Sequence, residues 1–135
     1  MTAITPYATF TSELAALTVT GVTRKLDAPP ASLATADLPA MWPGLPRGEE
    51  PPMTFQSGGG WPALTCDLVI ALEPVGQNTQ SANYAATVAM LDNLSTALRG
   101  ANIGRASLRW SITANVQVDV SGTPYWAVIA TIEGR

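Results

Sequence analysis

From Ser107 to Val120 the chain alternates without a break. Leu108, Trp110, Ile112, Ala114, Val116, Val118 and Val120 are apolar, and Ser107, Arg109, Ser111, Thr113, Asn115, Gln117 and Asp119 between them are polar. Alternation sustained this long predicts a β-strand with one buried and one solvated face. The turn sequence SGTP at 121–124 ends it and YWAVIATIEGR returns, so the last third reads as a long hairpin. Leu64, Cys66, Leu68, Ile70 and Leu72 alternate in the same way and predict the second strand of a hairpin over 53–73, with Gly58, Gly59 and Gly60 in its turn. Elsewhere the period lengthens. Tyr84, Val88, Leu91, Leu94 and Leu98 follow helical spacing, with Asn78, Thr79 or Ser81 as the cap and Gly100 where a left-handed C-terminal residue belongs. Tyr7, Phe10, Leu14 and Leu17 predict a shorter helix, capped by Thr5 and opened by Pro6. The β-branched run TVTGVTRKL (18–26) reads as a strand weakened at Gly21.

These elements predict an α+β fold: a mainly antiparallel β-sheet with two helices packed on one face, and a long proline-rich loop. The strand from 107 to 120 spans about 45 Å at ~3.3 Å per residue, and the second helix about 30 Å at ~1.5 Å per residue. One helix therefore leaves the tip of the hairpin's apolar face bare, to be covered by the first helix or by another subunit.

The loop, residues 27–52, contains ADLPAMWPGLPRGEEPP, in which five prolines surround Leu38, Met41, Trp42 and Leu45. Either it folds back and Trp42 fills a gap in its own core, or it is an arm that docks on a neighbour with Leu38, Met41, Trp42 and Leu45 as contacts. Prolines disfavour any core element and lower the entropy lost on ordering, and aromatic side chains dominate interface anchors, so the arm is the expectation adopted.

The 135 residues are one domain's worth, 1–135, and 47% are hydrophobic but only 13% charged. That charged fraction is about half the usual ~25%, which suggests an exterior partly covered by partners. The net charge is −3, and only Arg24 and Lys25 are adjacent among the basic residues, so no nucleic-acid-binding surface is expected. The N-terminus lacks the basic and apolar regions of a signal peptide, and no apolar run is long enough to span a bilayer. A cytosolic product with no membrane partner is expected.

Candidate chemistry is sparse. The chain has no histidine, hence neither the commonest general base nor the commonest metal ligand. Cys66 is the lone cysteine and sits among inward-facing strand residues, where a free thiol is an inert small hydrophobe. Asp67 and Asp119 could meet on the outer sheet face as an acid/base pair, but a solvated face needs such residues anyway. The triple glycine lacks the Lys-Ser/Thr of a phosphate loop. No catalytic, cofactor or metal site is expected, and the chain is read as a non-enzyme.

The order of elements (helix, strand, long loop with ATADLPAMWP at 34–43, hairpin, central helix, long hairpin) resembles the tail terminator, or tail completion, proteins of long-tailed bacteriophages. The resemblance covers nearly the whole chain as an order of elements, without a motif that matches residue by residue. It implies a structural virion protein of the tail or neck, assembled in the host cytoplasm. A homo-oligomeric, hexameric ring would cap the tail tube protein, meet head–tail connector proteins and pass DNA only as cargo, with no cofactor. In such a ring Arg109, Ser111, Thr113, Asn115 and Gln117, on the polar strand face, would look into the lumen. The alternatives are another neck adaptor, a tail tube subunit, or, in a different class, a small host ligand-binding or enzymatic α+β domain.

Overall fold

The computed structural model describes residues 5–50, 62–75, 84–101, 103 and 107–135. Its elements are α1 (Pro6–Ala15), β1 (Arg24–Lys25), a 3-10 turn (Thr35–Asp37), β2 (Ala40–Pro43), β3 (Arg47–Glu49), β4 (Ala63–Pro74), α2 (Tyr84–Arg99), β5 (Leu108–Val120) and β6 (Thr123–Gly134). The strands form one sheet in the order β1-β2-β4-β6-β5, with β3 also against β4. Only the β1–β2 pair is parallel. The chain is therefore α+β, with two helices and a mixed, mainly antiparallel sheet.

The frame is the three longest strands. β6 runs between β4 and β5, and the β5–β6 turn is a two-residue one: Val120 pairs with Thr123 across Ser121 (φ 54°) and Gly122 (φ 83°). Two successive positive φ values make the twist of this turn match that of the strands.

One core lies on the helix side of the sheet. Phe10 and Leu14 of α1, and Met90, Leu94 and Leu98 of α2, pack with Met41, Leu64, Cys66, Leu68, Ile70, Val128 and Ile132. Pro6 is at the start of α1, whereas Thr5 makes no side-chain cap bond. The expected caps of α2 at 78–81 and the glycine turn at 58–60 lie outside the described residues. Gly100 follows α2 without a positive φ, since its amide continues the helical bonding to the Thr96 carbonyl at 3.2 Å. The strand expected over 18–26 shrinks to Arg24–Lys25, because Gly21 turns the chain with φ 91°.

A second core lies on the other face. Ala40, Trp42, Val69, Ala71, Val120, Tyr125 and Ala127 are buried there, with Leu26, Leu33, Leu38, Val118 and Ile129 packed against them. Among the described residues no helix reaches this side. Residues 27–37 cross it instead, as a loop whose two ends are held together by the β1–β2 pair.

The proline-rich stretch contains two short strands. Ala40–Pro43 pairs with Leu68–Ala71 of β4, and Arg47–Glu49 pairs with the beginning of β4. Met41 points into the helix-side core and Trp42 into the other, with 5% of Trp42 exposed. The expected docking arm is thus an edge of the protein's own sheet. Pro39 precedes the strand and Pro43 ends it, positions where a missing N–H is tolerated.

Candidate interaction surface

β5 stands at one end of the strand order. β5 is thirteen residues long, and among the described strands it pairs only with β6. Its first half turns Leu108, Trp110, Ile112 and Ala114 toward the helices, where they pack against the core but remain half-exposed.

Helix α2 explains why they are not covered. Its buried residues are Thr87, Met90, Leu94 and Leu98, a stripe rotated from the expected one. Tyr84 and Val88 are 68% and 39% exposed. One flank of α2 is engaged: Asn93 donates to the Thr20 carbonyl at 2.9 Å, and Ala86, Met90 and Asn93 line a cleft against Gly21 and Leu72. Tyr84, Val88 and Leu91 lie on the flank away from it, above β5. Together with half-buried Trp110 and Ile112 they leave apolar surface near an edge of β5 that no other described strand pairs.

The other expected residues are scattered. Leu45 is 84% exposed, on the opposite edge of the sheet between β2 and β3. Leu38 is half-buried, packing against the second core and lining the cleft of about 500 Å³ with Pro39, Leu72 and Pro74. Met41 and Trp42 are interior and can contact no partner from there.

The polar face of β5 does not hold together either. Directly opposed residues of an antiparallel pair project to the same side. Arg109 opposes Glu133, Ser111 opposes Thr131 and Thr113 opposes Ile129, all on the face away from the helices. Between Thr113 and Val116 the register shifts by a β-bulge, after which Val116 opposes Ala127, Val118 opposes Tyr125, and Gln117 opposes Trp126. The bulge exchanges the faces. Val118 and Val120 join the second core, and Gln117 and Asp119 turn to the helix side. The expected set of Arg109, Ser111, Thr113, Asn115 and Gln117 on one face is corrected accordingly: Arg109, Ser111 and Thr113 share it, Gln117 does not. Asn115 falls within the bulge, its side chain outside the described part. The apolar residues of the hairpin tip, Val118 and Val120, face the second core, away from α1.

The open half of that outer face carries a charged row across four strands. Arg47 opposes Thr65, Thr65 opposes Glu133 and Glu133 opposes Arg109. Arg135 donates to Glu133 at 2.8 Å. That bond holds the Glu133 carboxyl below its ordinary range; desolvation opposes it, and the charges of Arg135 and then Arg109 lower it further. Thr131 donates to Asp67 at 2.9 Å. Asp67 and Asp119 therefore lie on opposite faces and form no acid/base pair.

Cys66 is buried on the helix side, its thiol donating to the Gly44 carbonyl at 3.3 Å. Burial pushes that thiol up to about 11, and the neighbouring Asp67 carboxylate adds to the shift. Among the described residues no group of three or more His, Cys, Asp or Glu side chains could hold a metal ion, and no helix is long and apolar enough to cross a membrane. No protein-family model matches the chain, and no curated protein sequence matches it.

Proposed function

We propose that this chain is a structural subunit of a phage tail neck, a tail terminator that closes into a ring on the end of the tail tube. The observation that carries the reading is the exposed Tyr84 and Val88, with half-buried Leu91, Trp110 and Ile112, near an edge of β5 that no other described strand pairs. Apolar surface near one edge and a different surface on the other suit head-to-tail contacts, which close into rings when the rotation permits. The order of elements supplies the phage context. In such a ring the tube protein and the head–tail connector are the neighbours on either side, and DNA passes without being gripped. Arg109, Ser111 and Thr113, beside Glu133 and Asp67, offer a face of mixed charge to that passage.

Sedimentation velocity over a concentration series, alone and with assembled tail tubes, tests this. Ring-sized species are expected, and Val88→Glu with Tyr84→Glu should abolish them while leaving the melting temperature near the parent's, because both side chains are exposed. A chain that stays monomeric at high concentration and does not bind tail tubes overturns the proposal.

A further inference from the structure

We propose that residues 27–37 form a hinged lid that opens over the second core while the rest of the protein stays folded. The inference does not depend on the ring, since it concerns how one part of the chain is fastened to another.

The lid is fixed firmly at its base and weakly at its tip. At the base, the Leu26 amide donates to the Met41 carbonyl and the Thr23 amide to the Pro39 carbonyl, both at 2.8 Å. The Thr23 hydroxyl donates to the Leu38 carbonyl at 3.0 Å, and the Arg24 guanidinium meets the Asp37 carboxylate at 3.0 Å across the neck of the loop. The chain thus leaves the sheet and returns at nearly one point, the geometry of an Ω-loop.

Beyond the base the fastening thins. Asp27, Ala28, Pro29, Ala31, Ser32 and Ala34 are exposed, and Leu33 is the tip's half-buried apolar anchor. Among the described hydrogen bonds one ties the tip to the sheet, from the Tyr125 hydroxyl to the Leu33 carbonyl at 3.5 Å. What lies beneath is buried. Ala40 and Ala71 are fully inaccessible and Ala127 nearly so, although both helices are on the other side of the sheet. They share one buried cluster with Trp42, Val69, Val120 and Tyr125, against which Leu33 of the lid packs. A cover whose tip is held by half-buried Pro30 and Leu33 and one long hydrogen bond opens at a small fraction of the free energy that separates the strands beneath it.

Cysteine accessibility tests the lid, with native Cys66 as the internal reference. Cys66 is fully buried on the helix side, where the lid has no influence. Ala71→Cys and, separately, Ala127→Cys place a thiol under the lid, and each site's labelling rate by a maleimide is read by peptide mass. Both new thiols should react at least tenfold faster than Cys66, with a rate that denaturant scarcely changes at low concentration, as subglobal opening exposes little surface. Leu33→Ala should speed both by roughly tenfold through loss of the anchor's buried surface, and leave Cys66 unchanged. Salt should have little effect, because the Arg24–Asp37 pair holds the base in both states. If both thiols react at the rate of Cys66, the core opens only by global unfolding and the lid is refuted. Fast labelling indifferent to Leu33→Ala refutes it as well, since the opening would then lie elsewhere.

Discussion

Trp42→Ala separates a core tryptophan from a docking anchor by magnitude. Trp42 keeps 5% of its surface exposed, in a four-residue strand buried throughout. Replacing it with alanine removes roughly 160 Å² of buried surface, about 4 kcal/mol at ~25 cal/mol/Å². That lies within the ~3–5 kcal/mol found for such truncations and is a large part of the ~5–15 kcal/mol that holds a domain folded. With ~2.1 cal/mol/K of unfolding entropy per residue, a chain of 135 residues should melt about 14 °C lower. The assay is thermal unfolding by far-ultraviolet circular dichroism at matched concentration, with Leu45→Ala as control. Leu45 is 84% exposed, so its truncation should stay within ~0.5 kcal/mol, or about 2 °C. If Trp42→Ala melts within about 3 °C of the parent, its side chain is not part of the fold and β2 is misassigned.

Two further outcomes follow from local geometry. A Cβ at Gly48 would overlap the Tyr7 phenol, lying 2.6 Å from its Cε1, and would push that ring off β3 and away from its hydrogen bond to Glu50. Gly48→Ala should cost about 1–2 kcal/mol in urea unfolding, and the cost should vanish in a Tyr7→Ala background; full persistence there would place the strain elsewhere. The Cys66 thiol holds its proton up to about 11 when folded against an ordinary value near 9, so its contribution is complete below the ordinary value and declines as pH rises between the two. The slope is at most about 1.4 kcal/mol per pH unit, and Cys66→Ala should flatten the alkaline loss of stability relative to the parent; parallel curves would refute the shift.

The elements that repeat a period over many residues were legible from sequence. β5 and β6, the last strand before α2, and both helices stand where periodicity puts them. β2 was not legible, for a physical reason. Four residues are too few to show alternation, and a strand buried on both faces has none to show. Prolines at its borders read as loop although they cost nothing there. In α2 the error was one of rotation. Val88 follows Thr87 by about 100° around the axis, so a stripe including Tyr84 and Val88 overlaps the buried one only toward Leu94 and Leu98. Tyr84 and Val88, so misplaced, are the apolar residues left exposed. The lid offered no signal, because its contacts depend on which sheet face lacks a helix.

The bulges decide how one sheet serves two cores. β6 has none, and its Val128, Ala130 and Ile132 face the helices while Tyr125, Ala127 and Ile129 face the other side. An unbroken strand buried on both faces must be apolar throughout, which is why YWAVIATI does not alternate. Its neighbours are each displaced by one residue at the same level: β4 where Leu72 is inserted between Ala71 and Glu73, β5 at Ala114 and Asn115. The extra residue in β5 lets a perfectly alternating sequence give its first apolar residues to the helix side and its last to the lid side. Without it, Val118 and Val120 would project beyond the reach of α2, which at ~1.5 Å per residue is little more than half as long as β5. Gln117 and Asp119 would then lie against Tyr125 and Leu33. The same insertion also breaks the open edge of β5 into two segments of opposite facing, so another strand cannot pair along its whole length in one register. A strand added at this edge would thereby be confined to one segment, such as the half that carries Trp110 and Ile112 beside the exposed flank of α2.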